Sequence, residues 1–212
     1  MRSYTLRVFL FLGVFMFALP AMAADKPVDA SVQDIEKAEQ YLQNMKTAKA
    51  RFVQTTHDGT QLVGTFYLNR PGKLRFDYDP PVDNFVVADG IFVYFYDAEL
   101  EEQTNAPIKA SLANFFLRED FSLSDDLIVK DAKWAAGLLQ LKVVQAEEPE
   151  AGSVTFAFSK KPFELKKWRV IDAQGMITEV ELFYLEVGVK HPKNLFVYVD
   201  PKKKDGKASY ND

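Results

Sequence analysis

The chain has 212 residues, with 26 basic side chains against 30 acidic ones for a formal net charge of −4, and no cysteine. That balance leaves no concentrated basic surface for nucleic acid. A chain without thiols has no cysteine nucleophile, no disulfide framework and no N-terminal cysteine to carry a lipid. The length suits one well-filled core and does not demand a second domain.

Arg2 and Arg7, the apolar run over 8–19 and the small-x-small site Ala21-Met22-Ala23 read as a secretory signal. The run is too short to span a bilayer comfortably, and no second long one follows. Residues 1–23 are therefore set aside as a signal peptide, 24–200 are expected to form a single domain, and 201–212 to be a polar, disordered tail.

After a short polar lead, Ser31 with Asp34 three residues on has a capping-box pattern. Val32, Ile35, Ala38, Leu42 and Met45 then follow at helical spacing, which predicts an amphipathic helix whose apolar stripe lies on something. From Lys46 the period changes to two. Ala50, Phe52 and Gln54 share one strand face, and Leu62, Gly64, Phe66 and Leu68 share the next, with Gly64 suggesting a bulge or bend.

Pro71-Gly72 supplies a fixed φ followed by a residue free to take positive φ, so Arg70 ends one strand and Lys73 begins another. Leu74, Phe76 and Tyr78 point one way along that strand, while Lys73, Arg75, Asp77 and Asp79 point the other. Residues 85–88 and 91–96 read as a tight hairpin through Asp89-Gly90, apolar on both faces and so expected to be covered on both sides.

Residues 98–106 are polar, and Pro107 is placed to open a second helix carrying Ile108, Leu112, Phe115 and Phe116. Further strands are expected at 138–144, 154–158, 167–172, 178–185 and 195–199. The fold class is mostly β with segregated helices, an α+β arrangement around a large antiparallel sheet.

Catalytic chemistry is sparse. A hydrolase needs a nucleophile, a base and an orienting group in one place. The two imidazoles are His57, in a turn beside Asp58, and His191, before Pro192. There is no Gly-x-Ser-x-Gly elbow, no His-x-His or Glu-x-x-His metal spacing and no glycine-rich phosphate loop. The expectation is no enzyme, no cofactor and no metal site.

Several signatures coincide in order: the capped helix, Ala50-x-Phe52-x-Gln54, Gly64-x-Phe66-x-Leu68, the run from Arg70-Pro71-Gly72 to Phe76-Asp77-Tyr78, and Val86-Val87-Ala88-Asp89-Gly90 leading to Tyr96-Asp97 and Gln103-Thr104. This series resembles the periplasmic outer-membrane lipoprotein carrier protein family, LolA, over about the whole mature chain and most specifically between Phe52 and Thr104. It departs from the family's pattern at Phe76, where a tryptophan is usual; an apolar wall is kept and an indole donor lost.

The resemblance implies an open, incomplete antiparallel β-barrel covered by a helical lid, with lipoprotein acyl chains held between them. It implies a periplasmic chaperone, expected to be a monomer, carrying lipoproteins from an inner-membrane release complex to an outer-membrane acceptor or to the outer membrane directly. A lipid- or lipoprotein-sensing regulatory module on the same fold is the alternative.

By that resemblance Arg70 would be the latch that holds the lid through backbone carbonyls; from the sequence alone the preferred reading is a rim arginine paired with a nearby acid. Phe52, Phe66, Leu74, Phe76, Tyr78, Phe92 and Tyr94 would line the cavity, with Ile35, Leu42, Leu112 and Phe115 on the lid. Alternation alone also reads these residues as packed core, since underfilling leaves no mark on a sequence.

Overall fold

The computed structural model describes residues 26–123 and 127–203. The expected signal peptide and residues 204–212 of the expected tail lie outside the described residues, while Pro201–Lys203 form a 3₁₀ turn.

Among the described residues twelve strands make one antiparallel sheet: β1 (Val28–Asp29), β2 (Thr47–Thr55), β3 (Gln61–Asn69), β4 (Lys73–Tyr78), β5 (Phe85–Asp89), β6 (Phe92–Asp97), β7 (Glu102–Pro107), β8 (Leu127–Ala135), β9 (Leu138–Gln145), β10 (Gly152–Lys160), β11 (Phe163–Asp172) and β12 (Ile177–Val187). Their order is β1-β8-β9-β10-β11-β12-β2-β3-β4-β5-β6-β7, and the two ends do not pair, so the sheet is an open barrel. Two meanders of hairpins, β2 to β7 and β8 to β12, join along the β12–β2 ladder, where Phe52 faces Leu182.

Helix α1 (Val32–Asn44) starts where the capping box predicts. The Ser31 hydroxyl accepts from the Asp34 N–H at 3.2 Å, and Asp34 Oδ2 accepts from the Ser31 N–H at 3.0 Å. The indole N–H of Trp134 on β8 donates to the same carboxylate at 3.1 Å. That bond first, then the Ser31 bonds, holds the Asp34 carboxyl below its usual range against the opposing effect of desolvation. Ala38 and Leu42 are buried, and Tyr41 meets Phe158 and Phe163 edge-on at 5.7 and 6.0 Å.

Several expectations are corrected. Gly64 lies in regular register between Phe52 and Tyr78 rather than in a bulge. A Cβ there would stand 2.2 Å from the Asp77 carbonyl oxygen and 2.7 Å from the Phe52 ring, so the glycine is needed for close packing. The polar stretch before Pro107 contains β7, a strand on the sheet edge whose residues have no dry face to reveal it. Pro107 ends that strand and opens no continuous helix: Ile108–Ala110 make a 3₁₀ turn, and α2 (Asn114–Leu117) is a single turn.

Residues 127–135 form β8, which the list of expected strands omitted. Residues 195–199 are not a strand but part of a strap laid across the outer face of the sheet. There Tyr198 stacks on Tyr94 at 4.8 Å, Phe196 is buried, and the His191 ring packs edge-on to Tyr67 and Phe196 with Nε2 3.1 Å from the Leu68 carbonyl oxygen.

Candidate functional site

The inner face of the N-terminal meander is set by the register. Phe66 pairs with Phe76, Phe76 with Val86, and Ala88 with Val93, so these side chains share one side of the sheet. Trp168 and Val170 of β11 approach from the other meander, with Trp168 5.5 Å from Phe66 and 6.3 Å from Phe76 between ring centroids. Leu112, Ala113 and Phe116 lie across the top, and Phe116 rests on Trp168 at 4.5 Å. Between these walls a cavity of about 130 Å³ remains, lined by Phe66, Leu74, Phe76, Val86, Val93, Leu112, Ala113, Phe116, Trp168 and Val170. Its lining carries no charged side chain.

Of the expected lining, Phe66, Leu74 and Phe76 border this space. Phe52 is fully buried behind them, 5.1 Å from Phe76. Tyr78 lies beside Phe52 at 5.4 Å, its hydroxyl donating to Gln54 Oε1 at 2.8 Å, and burial pushes that hydroxyl up to about 12.

Phe92 and Tyr94 are corrected. Tyr94 pairs with Val87 on the outer face, under the strap, and Phe92 shares that side of β6, so the inward residue of that strand at the cavity is Val93. Among the expected lid residues Leu112 roofs the cavity, whereas Phe115 is fully buried in the core. Leu42 is buried and Ile35 half-buried on α1, which covers the packed part of the sheet and does not wall the cavity. Sequence reasoning missed Val86, Val93, Ala113, Phe116, Trp168 and Val170 as lining; the last two sit on a strand whose chain position gives no hint that it adjoins β3 and β4.

Arg70 is buried in the turn between β3 and β4, and no acid partners it among the described residues. Its Nε donates to the Phe116 carbonyl oxygen on α2, and one terminal nitrogen donates to the Leu42 carbonyl oxygen in the last turn of α1. The other terminal nitrogen, Nη2, is buried without a hydrogen-bond partner among the described residues. Burial, with the Arg118 charge adding to it, pulls the guanidinium down to about 10, which leaves it charged at neutral pH.

The same turn is tied to the roof through its backbone. Gly72, at φ +77°, donates its N–H to the Leu117 carbonyl at 2.8 Å, and Arg70 donates its N–H to Lys46 at 2.8 Å. A Cβ at Gly72 would stand 2.8 Å from the Gly90 Cα, so only glycine fits between the two turns. Side chains of α1 and its C-terminal neighbour complete the stitching: Gln43 donates to the Phe121 carbonyl at 2.9 Å, and Lys46 to that of Glu119 at 3.0 Å. The roof is thus held by polar bonds around its rim as well as by the buried side chains of Phe115, Phe116 and Leu117.

A protein of Methylococcus capsulatus described as outer-membrane lipoprotein carrier protein is 25% identical over 195 residues, covering 88% of this chain and 93% of that one. One of Leptothrix cholodnii with the same description is 28% identical over 202 residues, covering 92% and 94%. Among solved structures, a LolA superfamily protein from Nitrosomonas europaea matches at 10% identity and a TM-score of 0.42, over 80% of this chain and 98% of that one. Residues 43–199 match the family described as outer membrane lipoprotein carrier protein LolA, and to that family the chain belongs.

Proposed function

We propose that this protein is a periplasmic chaperone that takes the acyl chains of lipoproteins into its apolar interior and carries them from the inner to the outer membrane. The observation that carries this reading is an uncharged, underfilled cavity roofed by a segment pinned at its rim. An acyl chain of ~16 carbons is held in a bilayer by on the order of 12 kcal/mol, at about 0.8 kcal/mol per buried CH₂. A soluble carrier must replace most of that with its own apolar lining and still let go.

In the closed form the cavity of about 130 Å³ is close to the roughly 150 Å³ that accommodates one benzene. An acyl chain therefore enters only as the roof over Leu112 and Phe116 lifts away. Lifting breaks the bonds from Arg70 to Phe116 and from Gly72 to Leu117, and cargo contacts with Phe66, Phe76, Val86 and Trp168 replace the roof's own. Arg70 in this reading is the latch, and its unpartnered nitrogen leaves the closed state less than fully satisfied. Delivery runs the other way: the empty cavity recloses and Arg70 regains its carbonyl partners.

Native mass spectrometry of the exported protein from a lipoprotein-producing host tests the proposal. Co-purifying acylated protein at one-to-one stoichiometry supports it. A mass that stays free of ligand after incubation with lipoprotein-loaded membranes and the release machinery overturns it in favour of a sensing module.

A further inference from the structure

We propose that the exposed edge of β7 binds the polypeptide that follows the acylated end of the cargo, as an added antiparallel or parallel strand; this rests on the carrier reading above. Among the described residues strand β7 ends the sheet and is paired only with β6. Every second N–H and C=O along it therefore faces outward, and no backbone group of the described residues bonds to them.

Natural edges are guarded by lysine, proline, bulges or a covering segment. Here Gln103, Thr104 and Asn105 are uncharged and exposed, the register from Phe92–Pro107 to Asp97–Glu102 has no bulge, and only Glu102 and Pro107 stand at the ends. The opposite edge is treated differently: β1 lies along β8, and the Ala30 N–H donates to the Ala132 carbonyl at 2.9 Å.

The open edge is also beside the cavity. Val93 of the cavity wall pairs with Ala106 of β7, and the roof segment begins at Ile108, directly after the strand. A chain leaving the cavity past Val93 meets a six-residue strand whose alternate N–H and C=O groups face outward. Strand addition bonds through main-chain groups and reads little side-chain identity. That suits cargo proteins that share a lipid-bearing end and little else.

Three ligands test the proposal on the unaltered mature protein: a triacylated six-residue peptide, matching the length of β7, the same lipopeptide N-methylated at alternate residues on either register, and the triacylated amino acid without peptide. The plain lipopeptide is expected to bind about tenfold more tightly than the N-methylated forms and to slow hydrogen exchange within 102–107. Equal affinity of all three with unchanged exchange in β7 overturns the proposal and leaves the carrier reading standing. Failure of the peptide-free lipid and both lipopeptides to bind overturns both.

Discussion

Two parts of one sheet face are covered in different ways. Beneath α1, Tyr41, Phe158 and Phe163 lock together, Phe121 meets Phe156 at 5.8 Å, and Leu139, Leu141, Val154 and Leu165 are fully buried. Beneath residues 112–117 the walls are as aromatic, with Phe66 4.9 Å from Phe76, yet a cavity remains. The strands do not differ in kind; their covers do. A helix of 13 residues inserts Ala38, Tyr41 and Leu42 into the sheet, whereas the other cover is a 3₁₀ turn and one turn of helix with the small Ala113 over the gap. An apolar strand face becomes core or container according to how far its cover reaches in.

The largest expected effect sets the two parts against each other directly. Phe156→Ala in the packed part should destabilise by about 3–5 kcal/mol in urea unfolding, while Phe76→Ala, whose ring already borders empty space, should cost less than half as much. Equal losses would erase the distinction. Arg70→Leu leaves the Leu42 and Phe116 carbonyls without their donor and should lower stability by about 2 kcal/mol. The same variant should speed amide exchange over 113–118 and impair handover of lipoprotein to membranes; unchanged exchange and handover would reduce Arg70 to a packing residue.

Val93→Phe fills the cavity and should raise stability by about 1 kcal/mol while weakening lipopeptide binding, two opposite signs from one substitution. If binding survives, cargo is held elsewhere. Ser31→Ala should cost about 1 kcal/mol through the α1 cap and leave lipopeptide binding unaltered. Because the Asp34 carboxyl is held low in the folded protein, its contribution is present above about pH 4 and is lost as pH falls through its folded value. A thermal midpoint series from about pH 5 to about pH 3 should show that step shrink in Asp34→Asn.

Much of this was legible beforehand. The α1 cap, the β2–β3–β4 faces and the turn at Pro71-Gly72 all follow from local signals that the tertiary structure leaves undisturbed, whereas the burial of Arg70 against backbone carbonyls does not. The β5–β6 hairpin was legible as an element but not in its orientation: both faces of β6 are apolar, since Tyr94 meets the C-terminal strap and Tyr96 stacks on Phe85 while Val93 faces the cavity. Alternation therefore could not say which set is inner, and Phe92 and Tyr94 were misplaced.

Strand β7 escaped notice because a polar edge strand has no hydrophobic period. The spacing of Ile108, Leu112, Phe115 and Phe116 fits one helix, yet the chain breaks its helical course at Ser111. Trp168 was out of reach for another reason, since no local pattern records that β12 pairs with β2.

That pairing has a consequence for how the protein is made. Every other ladder but that of β1 joins strands adjacent in the chain, so each meander is built from local hairpins of low contact order. The β12–β2 seam alone brings Leu182 to Phe52, and it is also what carries Trp168 across to Phe66. The cavity accordingly does not exist in either half: its two walls meet only through the most non-local pairing of the sheet, and a chain cut short of β12 should leave two apolar half-shells unjoined.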